Sequence, residues 1–295
     1  MRNIYAVILV GGKGKRLRPL STNKRPKAFL SVTRDGKTMF RKTLDRSRLL
    51  IPEGRTIVVA NRAHRKLITE DFPRIKKENL MLEPASRNTA PAVALAAGSV
   101  KARGGDPVMV VFSADHFIAG TKSFISAVKA GVRLVEQKKD AIAVFGVRPA
   151  SPSGEFGYIR IGKAKRSKGR AHKVSRFVEK PDIKTAGQYV RSRQYLWNIG
   201  VFAFRAGTVL GGLKKFAPAV YKEIAGCGKR PLPAAYKRLP NISIDRALIE
   251  KSPNVFCVEG EFRWKDLGSF ESVKEVLKSE SRRFVEKNGK VTRII

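Results

Sequence analysis

The sequence predicts an α/β protein built on a doubly wound sheet, and three observations lead there. Near-continuous apolar runs at 4–10, 55–60, 107–112 and 140–146 have the pattern of parallel strands covered on both faces. Longer helical stretches at 88–97 and 123–135 lie between such runs, in the alternation that parallel crossovers require. The first run breaks directly into the basic loop Gly11-Gly12-Lys13-Gly14-Lys15-Arg16. A glycine-rich turn after a strand brings backbone N–H groups and cations up to a polyphosphate.

The loop has its own type. Neither the G-x-x-x-x-G-K-[ST] spacing of a P-loop nor the G-x-G-x-x-G of a dinucleotide fold occurs here. The glycines read G-G-x-G, with Arg16 two residues beyond the last and Lys27 following Pro26. Glycine lets the backbone approach a phosphate or a base, and two separately placed cations can each take a phosphate oxygen.

After about residue 150 the pattern changes. Segments 157–161, 172–178 and 200–204 read as strands of a mixed sheet laid against the first half, with helices near 184–192, 206–217 and 268–279. No repeat or linker separates the halves. One catalytic domain over 1–280 is expected, followed by a short C-terminal extension over 281–295.

Composition narrows the class. A chain of 295 residues with 42% hydrophobic content can bury a large core. No apolar run approaches the roughly 20 residues needed to span a bilayer, and the first run lacks a cleavage pattern, so no membrane association and a cytoplasmic location are expected. Cys227 and Cys257 are too few for a disulfide framework, and His64, His116 and His172 are too scattered for structural zinc. The formal charge of +37 attracts nucleotides, nucleic acid and other polyanions alike. Its basic residues are spread along the whole chain and not interleaved with aromatics, which predicts nonspecific polyanion binding in preference to a dedicated nucleic-acid face.

Two carboxylates stand out. Asp115, in Ser113-Ala-Asp-His116, follows a central strand, where ligands of open α/β sheets bind, and suits magnesium. One carboxylate needs help from substrate phosphates or a second acid. Asp266 lies just before a helix start near Ser269, where a metal ligand and a helix cap are equally good readings.

The order of these motifs resembles one family. From residue 4 to about 275 the chain is similar to the sugar-1-phosphate nucleotidylyltransferases, and most similar to their mannose-1-phosphate guanylyltransferase branch. The resemblance rests on Leu9–Leu20 with Arg25–Leu30, on the branch-specific segment Glu83–Ala92, and on Ser113–His116. It continues through Gly157–Ile159, Val178–Pro181, Trp197–Gly200, Ile242–Asp245 and Trp264–Gly268.

That resemblance implies a Rossmann-like doubly wound mixed sheet, here without the C-terminal β-helix domain of many relatives, and a monomer or homodimer. It implies that Gly11, Gly12 and Gly14 pack on base and triphosphate, that Arg16 meets the departing pyrophosphate and that Lys27 contacts the reacting phosphates. Glu83, Asn88 and Thr89 then belong to the nucleoside site, and Asp115 and Asp266 hold magnesium. Gly157, Glu179, Asn198 and Asp245 line the sugar pocket, and Lys180 takes the sugar phosphate. The implied reaction joins GTP and mannose 1-phosphate into GDP-mannose, releasing pyrophosphate by in-line attack on the α-phosphorus. No protein nucleophile is needed, because the sugar phosphate is already an anion.

The chain departs from the family pattern at Lys15, Ala28, Ser113 and Ile199, the last lying beside the expected sugar pocket. Other readings are a nucleotidylyltransferase for another sugar or nucleotide, and a catalytically silent sugar-nucleotide-binding subunit. A nucleic-acid-binding protein would account for the charge while leaving the ordered acidic and glycine motifs without a purpose.

Overall fold

The computed structural model describes residues 3–12, 14–162, 171–225 and 232–295. Cys227 and Lys13 lie outside them, whereas Cys257 is buried. The chain begins with β1 (Ile4–Val10), α1 (Met39–Arg48), β2 (Thr56–Asn61), α2 (Arg65–Asp71), β3 (Leu80–Glu83) and α3 (Thr89–Ala102). It continues through β4 (Val108–Ser113), β5 (His116–Ala119), α4 (Thr121–Gln137), β6 (Ile142–Val147), β7 (Gly157–Ile161) and β8 (Ala171–Glu179). Next come α5 (Ile183–Ser192), β9 (Tyr195–Arg205), α6 (Ala206–Phe216), α7 (Pro218–Ala225) and α8 (Leu232–Arg238). A π-helical turn at Asp245–Ile249 precedes β10 (Val255–Glu259), β11 (Arg263–Asp266), α9 (Phe270–Ser279), β12 (Phe284–Lys287) and β13 (Lys290–Ile294).

A nine-stranded mixed sheet, ordered β3-β2-β1-β4-β9-β6-β10-β8-β7, carries the fold. Strands β3, β2, β1 and β4 run parallel, as their apolar runs predict. The second half differs from the expectation of strands laid against the first. Strand β9 inserts antiparallel between β4 and β6, so both halves share one sheet. Strand β7 pairs with both β8 and β9, and the strands from β9 round to β7 thereby close on themselves.

Both faces of the sheet are covered, which is what the apolar strands require. On one face Ala6, Ile8 and Val10 pack with Phe40 and Leu44 of α1 and with Phe124, Val128 and Val135 of α4. On the other, Val7 and Val59 meet Val93, Ala97 and Val100 of α3 and Val209 and Leu213 of α6. A third cluster joins Leu17 and Leu30 of the N-terminal loops to Val273 and Leu277 of α9 and to Val291 of the β12–β13 hairpin. Residues 284–294 are therefore docked on the same body as the glycine loop. Among the described residues no helix is long and apolar enough to cross a membrane.

Candidate active site

The site lies at the carboxyl ends of the parallel strands. Pairing of Leu9 with Ser113 and of Asn61 with Glu83 sets the ends of β1, β4, β2 and β3 at one edge of the sheet. The glycine loop leaves β1 there. Gly12 and Gly14 have φ of +86° and +58°, where side chains are strained, and a Cβ on Gly14 would fall 2.9 Å from Ser21 Oγ. The Ser21 hydroxyl donates to Gly14 O at 2.6 Å and pins the turn. Arg16 follows on a one-turn 3-10 helix anchored by buried Leu17.

Strand pairing also delivers the two aspartates. Asp115 follows β4, and β5 pairs antiparallel with β11 so that His116 faces Asp266. Asp266 is not the cap of α9: Ser269 accepts from Ser272 N and forms a capping box with it. The Asp266 carboxylate instead accepts a hydrogen bond from Lys27 Nζ, which also lies 3.0 Å from Asp115 Oδ2. Lys27 is only 7% exposed. Burial disfavours its ammonium, but Asp115 and Asp266 outweigh that and raise its pKa. For Asp115, burial pushes the carboxyl up, and the charges of Lys27 and His116 with the Ser113 hydrogen bond, 2.7 Å to Oδ1, hold it far below the usual range.

Gly12, Gly14, Arg16, Lys27, Asp115 and Asp266 line one cleft of about 430 Å³. Its lining suits a polyphosphate: glycine backbone, the cations Lys15, Arg16 and Lys27, and two carboxylates converging on the Lys27 ammonium. Gly11 stands exposed at the start of the same loop. Arg16, 61% exposed at its side chain, is ion-paired across the chain with Glu155.

A second group forms the sugar-side candidate. Gly157 pairs with Glu179, and a Cβ on Gly157 would lie 2.7 Å from Glu179 Oε2 and 3.3 Å from Asn198 Cβ. Asn198 Nδ2 donates to Asp245 Oδ1 at 2.9 Å. Burial and the charge of Glu179 push Asp245 up to about 7, and burial raises Glu179 as well. Such carboxyls can accept from or donate to hydroxyls. Lys180 follows Glu179 with φ +52°, a sparsely populated conformation; its side chain is 54% exposed, with Nζ 3.7 Å from Glu179 Oε1.

The third group surrounds the start of α3. Glu83 is buried and accepts from the Tyr236 hydroxyl at 2.9 Å, and burial pushes its carboxyl up to about 7. Asn88 caps α3 through Thr89 N, at φ +67°. The Thr89 hydroxyl accepts from Ile244 N at 2.8 Å, tying α3 to the turn that carries Asp245.

Several partners escape motif reading. Glu155 sits two residues before the Gly157 motif, Tyr236 faces Glu83 across 153 residues, and Glu250 accepts from Glu179 N at 3.0 Å. Two departures acquire definite places: Ser113 orients Asp115, and Ile199 is fully buried in the apolar cluster containing Trp197. Ile199 is therefore a packing residue.

Comparison with known proteins gives a consistent picture. The chain is 37% identical over 291 residues to the mannose-1-phosphate guanylyltransferase of Escherichia coli K12, covering 92% of this chain and 59% of that protein. It is 38% identical over 290 residues to the xanthan biosynthesis protein XanB of Xanthomonas campestris, covering 94% and 60%. It thus spans about 60% of the length of these curated relatives. Among solved structures, a Thermus thermophilus protein described as a mannose-1-phosphate geranyltransferase superposes with a TM-score of 0.85 at 33% identity, covering 93% of this chain and 79% of that one. The profile of the nucleotidyl transferase family matches residues 5–282, which include the glycine loop, Lys27, both aspartates and the sugar-side group. The chain belongs to the nucleotidyl transferase family.

Proposed function

We propose that this chain transfers a guanylyl group from GTP to mannose 1-phosphate, forming GDP-mannose and pyrophosphate. The observation that carries the reaction class is the single cleft in which the glycine loop, Arg16 and Lys27 face Asp115 and Asp266. The guanylyl and mannose assignments rest on the resemblance of residues 83–92 and on the names borne by the relatives.

In this reading the triphosphate lies along the glycine loop, with backbone N–H groups and Arg16 toward the departing pyrophosphate. Lys27 moves its charge onto the reacting phosphates. The Asn198–Asp245–Glu179 group receives sugar hydroxyls, and Lys180 holds the sugar phosphate against the nucleotide. Two mutually repelling anions are thereby positioned and neutralised, and no protein nucleophile is used.

Asp115 and Asp266 suit a divalent cation: they are two hard oxygen donors already converging on one positive charge, and phosphates would supply further oxygens. Magnesium held there would neutralise charge building on the phosphates. The 1–280 unit would carry all these groups, with 281–295 packing beside it.

The test is pyrophosphate release with GTP, UTP, TTP and ATP, each with mannose 1-phosphate or glucose 1-phosphate. Release should be fastest with GTP and mannose 1-phosphate. Equal specificity constants for GTP and UTP would remove the guanylyl assignment, because buried polar groups that read one base edge are left unpaired by another.

A further inference from the structure

We propose that the Lys27 ammonium is a built-in counter-ion standing in for the divalent metal in the nucleotide-free protein, so that the metal enters only together with the triphosphate. This rests on the metal reading of Asp115 and Asp266 given above. The ammonium is bonded to Asp266 Oδ1 and is 3.0 Å from Asp115 Oδ2, while Asp115 Oδ1 is taken by the Ser113 hydroxyl. One positive charge thus already engages both carboxylates, in a position almost closed to solvent.

A dication on the same oxygens would sit within roughly 4 Å of the ammonium, a separation at which like charges repel strongly outside bulk water. One of them has to leave. Apart from the two aspartates, the described residues lining the cleft are glycines, leucines and basic residues, whose side chains offer the displaced ammonium no anionic partner. A triphosphate changes this balance, since its oxygens accept the ammonium and complete the metal's oxygen shell. Lys27 needs only rotamer changes to reach them, because its side chain is unbranched and opens on the same cleft as Gly12, Gly14 and Arg16. Nucleotide and metal are then linked ligands, each strengthening the other.

Ultrafiltration that counts Mn²⁺ retained by the chain tests this without turnover. Lys27→Met should retain one equivalent without nucleotide, at least about tenfold more tightly than wild type. The added change Asp115→Asn should abolish that retention, and Mn²⁺ should raise the melting temperature of Lys27→Met but not of wild type. Wild type alone supplies a second measurement should Lys27→Met fail to fold: it should retain Mn²⁺ through Asp115 only when GTP is present. Nucleotide-free wild type that holds one Mn²⁺, lost in Asp115→Asn, overturns the counter-ion while leaving the metal reading intact. Retention with GTP that survives both Asp115→Asn and Asp266→Asn overturns the two together.

Discussion

Lys27 is a charged side chain that the fold nearly buries, which is tolerable only because Asp115 and Asp266 pair with it. Asp115→Asn and Asp266→Asn should each lower turnover at least about a hundredfold by removing an anionic oxygen at constant volume. Ser113→Ala, which deletes only the hydrogen bond orienting Asp115, should lower it by less than about tenfold. Steady-state kinetics on folded variants checks both expectations, and near-wild-type turnover in the asparagine variants would remove the site assignment. Asp245 gives a prediction about pH. Its carboxyl is raised to about 7 in the fold from an ordinary value of 3.8, so the folded chain binds the extra proton between those values. Its contribution to stability is full below about pH 4 and is lost as pH rises toward 7, by at most about 1.4 kcal/mol per pH unit. Denaturant unfolding against pH should show this loss in wild type and a flatter curve in Asp245→Asn; parallel curves would contradict it. The cations and carboxylates themselves were legible in motifs, but their pairing was not. Lys27 and Asp266 are 239 residues apart; the β5–β11 pairing sets Asp266 beside Asp115, and packing of Leu17 and Leu30 against Leu267 and α9 brings the Lys27 segment to them.

Elements bring motifs that are separate in sequence into contact. The Thr89–Ile244 hydrogen bond joins the first turn of α3 to the segment bearing Asp245. Thr89→Val keeps the volume and leaves the buried Ile244 N–H without its acceptor, so unfolding free energy should fall by about 1–3 kcal/mol. Unchanged stability in urea titration would show that the two segments are held by packing and by the backbone hydrogen bond from Ala90 N to Ile242 O. The strands that formed continuous apolar runs, β1, β2, β4 and β6, could be read from sequence because burial on both faces leaves no polar alternation. Strand β3 at the sheet edge and the pair β5–β11 could not, since each is four residues long. Helix α1, Met39–Arg48, was obscured by its five basic and acidic side chains, its buried stripe being Met39, Phe40, Thr43, Leu44 and Ser47 around a buried Arg46. The insertion of β9 between β4 and β6 depends on long-range register, which local periodicity does not encode.

At the scale of the whole molecule the charge of +37 sets the field in which these groups work. Binding to single-stranded DNA or heparin should fall steeply between roughly 50 and 200 mM salt through counterion release, whereas GTP binding in the preformed cleft should fall less. A sequence-selective complex persisting at physiological salt would instead mark a dedicated nucleic-acid face. The central claim is direct transfer between GTP and mannose 1-phosphate in the cleft around Lys27, and the reaction run backwards tests it most directly. The chain should move ³²P from pyrophosphate into GTP when GDP-mannose and magnesium are both present, and far more slowly into UTP from UDP-glucose. It should incorporate no label into GTP when GTP is the sole nucleotide and no sugar phosphate is present. Label entering GTP under that last condition would reveal a covalent guanylyl-enzyme, and a folded chain that forms no labelled nucleotide under any condition would contradict the function itself.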